Sequence, residues 1–409
     1  MDPQRAIADL RELDRRTGGP EGAQRVCWTG GWTRARELLA ELLSDLPVEV
    51  RTDAAGNLFA KLPGTRANEV VLVGSHLDSV PAGGWLDGAL GVMAAVEVVR
   101  AAASQGTPER TVTLVDWADE EGARFGRSLL GSSAFAGTLD PHGVRGLTDA
   151  QGVRLPDALA EHGVEVDRMG SAREAMRESV LAYLELHIEQ GPVLEAEGLP
   201  CGAVLGTMGV QRHHVTFEGK ATHAGSTPMD RRSDAGVAGA RAIVGLQDIG
   251  RRCGGVCTAG RLDLDPGVVT VVPGRAQLLV DQRHLDAQAL ADMLDAARAL
   301  WEEAAAKEGC TVSAERIWGI EPVAFHPGLI EAARGAGAEV AGSSFALPSG
   351  ALHDASEIAR VAPTAMVFAA STGGVSHAPD EDTPEADLAA AIAAFGLLAR
   401  RVIDGGLPK

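Results

Sequence analysis

The sequence predicts an α/β protein in which one domain is interrupted by a smaller α+β domain. The chain has 409 residues, which is too many for one ordinary hydrophobic core. Apolar runs typical of buried strands alternate with helical periodicity up to about residue 208, and this style returns near residue 326. The intervening segment has shorter, alternating strands between amphipathic helices. We therefore expect one domain from residues 1–208 and 326–409 and an inserted domain from residues 209–325.

The first domain is expected to contain a sheet whose two faces are covered by helices. A helix, "TRARELLAELLSDL", precedes the strands "VEVRTD" and "NLFAKL". The strand "VVLVG" comes before the helix "DGALGVMAAVEVVRAAASQG", and the strands "TVTLVDWAD", "YLELHI" and "TAMVFAA" follow further along the chain. Buried runs separated by helices indicate an α/β sheet, because a strand covered on both faces carries apolar side chains in succession.

The inserted domain shows a different order of elements. An alternating strand, "RHHVTFEG", is followed by the helix "DAGVAGARAIVGLQDIGRR". The runs "GVVTVVPG" and "AQLLVDQRH" are expected to pair as two strands around Pro273 and Gly274, and the long helix "DAQALADMLDAARALWEEAAAKEG" and the strand "CTVSAERIW" complete the segment. This order predicts a small sheet with helices on one face.

Composition excludes several classes of partner. The formal net charge is −19 and no dense Lys/Arg tract is present, so we expect neither nucleic acid nor an anionic membrane as a partner. The amino-terminal segment is polar and amphipathic, and we expect a cytoplasmic protein. Five cysteines argue against a disulfide framework, because the number is odd. Cys253 and Cys257 are interpreted as free thiols, with a metal or redox pair as the alternative.

Polar side chains gather after four of the predicted strands. They are His76 and Asp78 after "VVLVG", the triplet Asp119, Glu120 and Glu121 after "TVTLVDW", His187 and Gln190 at the end of "YLELHI", and His377 after "TAMVFAA". Open α/β sheets collect ligands at the carboxyl ends of their strands. Adjacent carboxylates ~4 Å apart repel by about 4 kcal/mol at an effective dielectric constant of ~20. The pattern therefore predicts a site for two divalent cations, with Asp87, in a glycine-rich loop, bridging them.

Seven motifs in order resemble a known enzyme family. They are "GSHLDSV…GGWLDGALGV", "DEEGARFG", "LHIEQGPVLE", "THAGSTPMDRRSDA", "VDQRH", "SGALHDA" and "GVSHAPDE", spread over about residues 70–385. The chain is similar to the M20 metallopeptidase-type amidohydrolases, in the branch of N-carbamoyl-L-amino acid hydrolases, allantoate amidohydrolases and β-ureidopropionases. The resemblance implies a mixed-sheet, dinuclear-metal catalytic domain like that of zinc aminopeptidases. It also implies a ferredoxin-like inserted domain that serves as a lid and forms a homodimer.

The resemblance assigns the metal ligands by position. It implies one ion held by His76, Asp87 and His187 and a second held by Asp87, Glu121 and His377. Imidazole and carboxylate ligands suit Zn²⁺, Mn²⁺, Co²⁺ or Ni²⁺. Asp78 is expected to orient the imidazole of His76, and Glu120 is expected to be the general base. In an alternative interpretation, Glu121 is the general base and Glu120 is the ligand of the second ion.

Further residues are assigned to the substrate by the same resemblance. His223 is expected to reach the active site of the partner subunit and stabilise the tetrahedral oxyanion. Gln190 and Arg283 match residues that hold the ureido or acid end of a substrate. Gln211, Ser349, Gly350 and His353 lie in further family motifs.

Two positions depart from the family pattern. Thr270 stands thirteen residues before Arg283, where the family usually has an asparagine that helps to hold the carboxylate. Leu352 replaces a glycine of the "SGAGHDA" motif. Both changes concern the substrate rather than the metal ions.

We therefore expect a hydrolase that cleaves the ureido C–N bond of a small molecule, an N-carbamoyl-L-amino acid, to amino acid, ammonia and carbon dioxide. Allantoate amidohydrolase and β-ureidopropionase are alternatives within the branch. An aminoacylase or aminopeptidase on the same scaffold is a more distant alternative, and a non-catalytic binding protein is another.

Overall fold

The computed structural model describes residues 1–176 and 178–407. The chain forms two compact units, one of Met1–Leu205 with Phe325–Lys409 and the other of Gly206–Ala324. The sequence prediction placed the two boundaries at residues 208/209 and 325/326. Each unit has a sheet and a hydrophobic core of its own.

The strands range from two residues in β8 to eleven in β3. Their bounds are β1 Glu49–Thr52, β2 Leu58–Leu62, β3 Arg66–His76, β4 Arg110–Trp117, β5 Ser179–Ile188, β6 Cys201–Thr207, β7 Gly209–Glu218, β8 Thr222–His223, β9 Val256–Asp265, β10 Val271–Val272, β11 Arg275–His284, β12 Thr311–Ile320, β13 Val323–Ala324, β14 Ala346–Ser349 and β15 Thr364–Ala369.

The helices cover these sheets or connect their strands. Their bounds are α1 Pro3–Thr17, α2 Gly30–Leu43, α3 Ala89–Ser104, α4 Leu130–Ala136, α5 Pro141–Val144, α6 Leu155–Glu161, α7 Val193–Glu197, α8 Ala235–Cys253, α9 Ala287–Lys307, α10 Pro327–Ala341, α11 Asp354–Ile358 and α12 Glu385–Gly405. Across the described part of the chain, none of these helices combines the length and hydropathy that crossing a bilayer requires.

The larger sheet is mixed and has a parallel centre. Its order is β1-β2-β4-β3-β5-β15-β6-β13, and β14 pairs with β6. The pairs β3–β4, β3–β5 and β5–β15 are parallel, so four neighbouring strands end at one edge of the sheet. The predicted α/β fold with a mixed sheet is confirmed. The parallel centre brings His76, His187 and the segments after Trp117 and Ala369 to the same edge.

The helices that pack on this sheet bury their apolar residues against it. Every residue of α3 from 89 to 99 is buried, and α12 buries Leu388, Ile392 and Phe395 against the same core. Glu97 is a charged member of the buried run in α3, and the guanidinium of Arg5 donates two hydrogen bonds to its carboxylate, at 2.7 and 2.8 Å.

The second unit has a ferredoxin-like arrangement. The chain order β7-α8-β9-β11-α9-β12 builds an antiparallel sheet with the strand order β12-β7-β11-β9. Asp234 and Asp286 begin the two helices by accepting the backbone N–H groups of Val237 and Ala289. The core lies between α8, α9 and one face of the sheet, and the buried indole of Trp301 belongs to it.

The hairpin predicted from "GVVTVVPG" and "AQLLVDQRH" is wrong. β10 covers only Val271–Val272 and pairs with β8, and β11 pairs with β7 and β9. The sequence analysis missed β9, an edge strand in which most side chains are exposed and only the short segment "RLDLD" alternates between apolar and polar residues.

Candidate metal centre

Three of the predicted ligands converge at the carboxyl edge of the larger sheet. His76 is the last residue of β3, His187 lies near the end of β5, and Asp87 lies in the loop after β3. All three are buried, and one ligand atom from each lies within 4.8 Å of the others. We call His76, Asp87 and His187 the first ligand group.

A second set of side chains adjoins the first and shares Asp87. Ligand atoms of Asp87, Glu121 and His377 also lie within 4.8 Å of one another, although His377 is exposed. Glu121 comes from the turn after β4, and His377 follows β15. We call Asp87, Glu121 and His377 the second ligand group. Both groups contain the residues that the sequence analysis placed together.

The two carboxylate oxygens of Asp87 face different ligand groups. Oδ1 lies 3.9 Å from Nε2 of His76 and 3.2 Å from Nε2 of His187. Oδ2 lies 3.3 Å from Nε2 of His377, and that imidazole nitrogen lies 3.5 Å from Oε2 of Glu121. This orientation is the one that a carboxylate bridging two cations requires.

The imidazoles of the first ligand group are oriented through their Nδ1 atoms. Nδ1 of His76 lies 3.1 Å from the carbonyl oxygen of Asp78, and Nδ1 of His187 lies 2.9 Å from the carbonyl oxygen of Ile188. A proton on each Nδ1 can be donated to these carbonyls, which leaves Nε2 with a lone pair facing Asp87. Neutral imidazole in this tautomer is the form that binds a metal ion.

Asp78 connects His76 to the acidic turn. Its Oδ1 accepts the backbone N–H of Glu120 and its Oδ2 accepts that of Glu121, each at 3.2 Å. Oδ1 also lies 3.6 Å from Nδ1 of His76. The carboxylate therefore orders the turn that carries both glutamates, and the closer contact with His76 comes from its backbone carbonyl.

The loop that carries Asp87 is fitted closely around its neighbours. Gly88 has φ +64°, and a Cβ at this position would lie 2.3–2.5 Å from ring atoms of His76. Glu381 accepts the backbone N–H groups of Leu86 and Asp87 at 3.1 and 3.0 Å, and its other oxygen accepts the hydroxyl of Ser376. Position 88 therefore requires glycine, and Glu381 holds the backbone of Asp87.

Burial sets the proton affinity of the two glutamates. Burial raises the pKa of Glu120 well above its ordinary range, with contributions from the carboxylates of Glu121 and Asp354 and opposition from His76. Burial and Asp87 raise the pKa of Glu121 to about 7. The acidic cluster is thus strained electrostatically in the absence of a compensating charge, as the sequence analysis expected.

His377 and Asp87 favour their charged forms, in contrast to the two glutamates. The hydrogen bond with Asp87 raises the pKa of His377 to about 9 despite partial burial. Burial would raise the pKa of Asp87, but contacts with His187 and His377 hold it well below its ordinary range. Imidazoles and carboxylates here stabilise one another as ion pairs, which is the arrangement that bound cations would replace.

The donor set fits divalent ions. Imidazole nitrogen and carboxylate oxygen are common ligands of first-row transition metals. Oε1 of Glu121 is buried and has no hydrogen-bond partner among the described residues, so one carboxylate oxygen is left for a cation to satisfy. The structure therefore contains candidate ligands for two ions that share Asp87.

Three non-glycine residues at this edge have left-handed backbone conformations. Asp119 has φ 60°, and Gln190 and His377 both have φ 56°. Such conformations cost on the order of 1–3 kcal/mol each and cluster at functional sites. They direct the acidic turn, the end of β5 and the segment after β15 toward one place.

Some predicted substrate residues lie beside the ligand groups. Nε2 of Gln190 donates to Oδ2 of Asp87 at 2.9 Å and to Oγ of Ser376 at 3.1 Å. The ring centroid of His353 lies 4.4 Å from that of His187, and Nε2 of His353 lies 2.9 Å from Oγ of Ser349. Gly350 is exposed, next to Ser349, and a Cβ there would meet open space.

Other predicted substrate residues lie in the second unit. His223 and Thr270 flank the small β8–β10 pair, where the carbonyl of Thr270 accepts the N–H of Ala224 at 2.8 Å. Nε of Arg283 donates to Oδ1 of Asp281 at 2.7 Å.

Gln211 and Arg283 lie on opposite faces of the four-stranded sheet. Gln211 pairs in register with Gln282, whose buried side chain donates to the carbonyl of Met293 in α9. Side chains directly opposite in an antiparallel pair share a face. Gln211 therefore projects toward the helices, and Arg283 projects to the open face.

Sequence reasoning missed several residues at the centre. Glu381 and Ser376 lie in the quoted motif "GVSHAPDE", so their spacing from His377 was the available signal. Glu185 is fully buried, accepts the hydroxyl of Ser75 at 2.7 Å, and forms a third candidate ligand group with His187 and His353. Its alternation with His187 on β5 indicated a shared face.

Comparisons with known proteins agree with this arrangement. A model of peptidase family M20/M25/M40 matches residues 72–401. An N-carbamoyl-L-amino acid amidohydrolase from Geobacillus stearothermophilus is 40% identical over 387 residues, which cover 94% of this chain and 93% of that protein. An allantoate amidohydrolase from Bacillus subtilis is 35% identical over 371 residues, which cover 88% of each.

Solved structures extend the similarity to the fold. The crystal structure of an amidase of the hydantoinase/carbamoylase family from Burkholderia multivorans matches with a TM-score of 0.88 at 34% identity, covering 98% of each chain. The family match covers residues 72–401, and the structural match covers nearly the whole chain. The chain belongs to peptidase family M20/M25/M40.

Proposed function

We propose that this protein is a dinuclear metal amidohydrolase that cleaves the ureido C–N bond of an N-carbamoyl-L-amino acid, giving amino acid, ammonia and carbon dioxide. The observation that carries the proposal is the orientation of the Asp87 carboxylate. Its Oδ1 faces the histidines of the first ligand group, and its Oδ2 faces the histidine of the second. The substrate class is supported by the 40% identity to an N-carbamoyl-L-amino acid amidohydrolase over nearly the whole chain.

The two ligand groups would hold the metal ions. The first ion would be bound by His76, Asp87 and His187, and the second by Asp87, Glu121 and His377. Zn²⁺, Mn²⁺, Co²⁺ and Ni²⁺ all suit this mixture of imidazole and carboxylate. Once bound, such ions act as Lewis acids that polarise a carbonyl and lower the pKa of water toward about 7.

Glu120 is proposed to move the proton in this reaction. Its Oε2 lies 3.7 Å from Nε2 of His76, at the first ligand group, and the carboxylate is buried. Because the Asp78 carboxylate accepts its backbone N–H, Glu120 is held in place from the opposite side. Glu120 takes a proton from the attacking water and delivers it to the leaving nitrogen, which departs as an amine or ammonia, and the carbamic acid left behind decomposes to carbon dioxide and the other nitrogen product.

His223 is proposed to donate a hydrogen bond to the oxyanion. Its Nδ1 accepts the backbone N–H groups of Gly225 and Ser226, both at 3.1 Å. A neutral imidazole with Nδ1 as acceptor carries its proton on Nε2, so the exposed side of the ring is the donor. This tautomer is the one that oxyanion stabilisation requires.

Arg283 is proposed to bind the substrate carboxylate. Asp281 accepts Nε of Arg283 at 2.7 Å and Nε of Arg212 at 2.8 Å, so one carboxylate orders two guanidinium groups on the open face of the sheet. The guanidinium fork of arginine can donate two parallel hydrogen bonds to a carboxylate, which is the contact proposed for the acid end of the substrate. Thr270, Gln211, Ser349, Gly350 and His353 remain proposed substrate contacts.

A substrate panel tests the proposed function. Protein loaded with Mn²⁺ or Zn²⁺ is incubated with N-carbamoyl-L-amino acids, N-carbamoyl-β-alanine, allantoate, N-acyl amino acids and dipeptides. We expect ammonia release to be fastest with an N-carbamoyl-L-amino acid. Faster release from allantoate or N-carbamoyl-β-alanine would assign one of the two alternatives within the branch.

The same panel separates the more distant alternative. An aminoacylase or aminopeptidase would release a free amine or amino acid from N-acyl amino acids or dipeptides without ammonia. Absence of ammonia from all three ureido substrates would reject the proposed substrate class and leave the family assignment intact.

We further propose that the protein forms a homodimer through the second unit. Val237 and Val244 on α8 are 39% and 68% exposed, and Leu262 and Leu264 on the edge strand β9 are 38% and 41% exposed. Exposed apolar side chains beside an unpaired strand edge favour association with a second copy. A dimer would also give His223 a partner active site to reach.

A further inference from the structure

Arg25 is a fully buried charge beside the proposed metal centre. Its side chain is 0% exposed, and it lies in the segment that precedes α2. Nε donates to the carbonyl of Leu77 at 2.9 Å, and Nη2 lies 3.5 Å from the carbonyl of Gly84. Nη1 is buried without a hydrogen-bond partner among the described residues. Leu77 and Gly84 lie in the loop that carries Asp78 and Asp87.

Main-chain contacts already hold the Arg25 segment against this loop. The N–H of Ala23 donates to the carbonyl of Gly83 at 2.7 Å, and the N–H of Arg25 donates to Oγ of Ser79 at 3.1 Å. The N–H of Ser79 donates in turn to the carbonyl of Arg25 at 3.3 Å. The guanidinium is thus not needed to join the two segments, and its charge calls for a different explanation.

A buried guanidinium is costly unless negative charge compensates it. Arginine stays protonated in proteins, so the charge of Arg25 persists in the interior. Within residues 1–176 and 178–407, Arg25 forms no salt bridge. Burial lowers the pKa of Arg25, and the carboxylates of Asp14, Asp87, Glu381 and Asp78 oppose that effect.

Three of these four carboxylates belong to the centre described above. Asp87 is shared by both ligand groups, Glu381 accepts its backbone N–H, and Asp78 orders the acidic turn. All three are buried. The guanidinium of Arg25 contacts the carbonyls of Leu77 and Gly84, in the loop that carries Asp78 and Asp87, so the buried carboxylates of the centre are placed to compensate its charge at longer range and to receive a permanent positive charge in turn.

We propose that Arg25 is an internal counter-cation of the metal centre, which stabilises its buried carboxylates before the divalent ions bind. The inference rests on the proposed metal centre. Arg25 acts through Asp78, Asp87 and Glu381 and is therefore a positioning residue. Bound ions take over much of this role, so the charge of Arg25 matters most in the metal-free protein.

Two variants separate the charge from the hydrogen bond. Arg25→Gln removes the charge but keeps an N–H donor for the carbonyl of Leu77, and Arg25→Lys keeps the charge but loses the planar fork. Arg110→Gln is the matched control. Arg110 is also a buried arginine whose Nη1 donates to two carbonyls, those of Ile403 and Asp404, but it begins β4 at the opposite edge of the sheet.

The measurement is the melting temperature of each full-length protein in chelator and in saturating Mn²⁺ or Zn²⁺. We expect Arg25→Gln to lower the melting temperature mainly in chelator, so that its metal-induced rise exceeds the wild-type rise by about 3 °C or more. Loss of the positive charge of Arg25 also strengthens the binding of divalent cations, and this further increases the metal-induced rise in melting temperature. Arg25→Lys should match the wild-type rise, and Arg110→Gln should be destabilised equally in both conditions.

Several results would overturn the inference. A metal-induced rise in Arg25→Gln equal to or smaller than that of the wild type would show a purely structural role or a role in shaping the ligands. If Arg25→Lys and Arg25→Gln show the same metal-induced rise in melting temperature, the effect comes from the planar guanidinium and not from its charge. Failure of Arg25→Gln to fold even with metal would also contradict it. A wild-type protein that binds neither ion would instead remove the metal centre itself.

Discussion

Asp87 shows how much one side chain depends on its surroundings. Its place in a glycine-rich loop was enough to predict a bridging role, but the separate orientation of Oδ1 and Oδ2 is visible only in the folded protein. Gln190 contributes by donating to Oδ2, and Glu381 contributes by accepting the backbone N–H. At the residue scale, hydrogen bonds from neighbouring residues hold the candidate ligands in place. Sequence reasoning found Gln190 among these neighbours but missed Glu381.

The role of Glu120 can be tested with an isosteric substitution. We expect Glu120→Gln to bind the same two equivalents of metal and to lose about 10²–10⁴-fold in kcat, because an amide cannot accept the proton of water at neutral pH. Metal content by elemental analysis and ammonia release are the measurements. Glu97→Gln is the control, since Glu97 is equally buried but pairs with Arg5 in the helix layer. A Glu120→Gln enzyme with near wild-type kcat would assign the base elsewhere.

The loop from β3 to α3 is the element on which the first ligand group depends. It begins at His76, carries Asp78 and Asp87, and turns into α3 at Gly88. The positive φ of Gly88 allows the backbone to pass directly over the imidazole of His76. Small changes in this loop should therefore affect metal binding more than they affect overall folding.

We expect Gly88→Ala to lose much of its metal binding. A Cβ at position 88 would lie 2.3–2.5 Å from the ring of His76, so the imidazole must move away from Asp87. Gly163→Ala is the matched control, because Gly163 also has a positive φ, +75°, but a Cβ there meets open space. Both variants should lose stability because alanine disfavours a positive φ, by about 1–2 kcal/mol or more. Equal metal affinity in the two variants would show that the contact at Gly88 is unimportant.

At the scale of the whole molecule, the acidic centre links stability to pH and metal. In the metal-free protein, the buried carboxyl of Glu121 has a pKa near 7, against about 4.3 when unfolded, so its ionisation costs stability as pH rises from about 5 through 7. The pKa of His377 is raised to about 9, so the stability from its positive charge is lost as pH rises toward 9. Both effects lower the free energy of unfolding as pH rises.

We therefore expect the metal-free protein to become less stable between pH 5 and pH 9 and the metal-loaded protein to be protected. Cations favour deprotonated ligands, so binding strengthens as pH rises. Calorimetry in chelator and in saturating Mn²⁺ should show a gap between the two melting temperatures that widens from pH 6 to pH 9. A gap that narrows over this range would contradict the proposed ligands.

The proposed homodimer gives a second prediction at this scale. Val244 is 68% exposed on α8 of the second unit, so Val244→Asp should weaken a dimer formed there without unfolding the helix. We expect sedimentation to show dissociation and ammonia release to fall in parallel, because His223 would lose its partner active site. Val193→Asp is the control, since Val193 is also exposed but lies in the first unit. A fully active monomer would contradict the proposed role of His223.

The sequence by itself determined the chemistry of the centre. Buried apolar runs that end in histidine and carboxylate predicted both the sheet and its metal-binding edge, because parallel strands place their carboxyl ends together. The assignment of individual residues to the two ligand groups came from the resemblance to the M20 amidohydrolases. The strand β9 was not predicted, because most of its side chains are exposed and its alternation is confined to "RLDLD", and the pairing of β10 with β8 depends on contacts that local sequence does not encode.

Only the tertiary structure decided how charge is balanced around that centre. Asp78 reaches the backbone of the acidic turn across 42 positions of sequence, Glu381 reaches Asp87 across 294, and Arg25 reaches Leu77 across 52. Such contacts join segments that are distant in the chain, and a hydrogen bond or a Coulomb interaction depends on distance in space. The strand ends and motifs of the sequence therefore predicted candidate ligands, and the fold identified the residues that hold them in place.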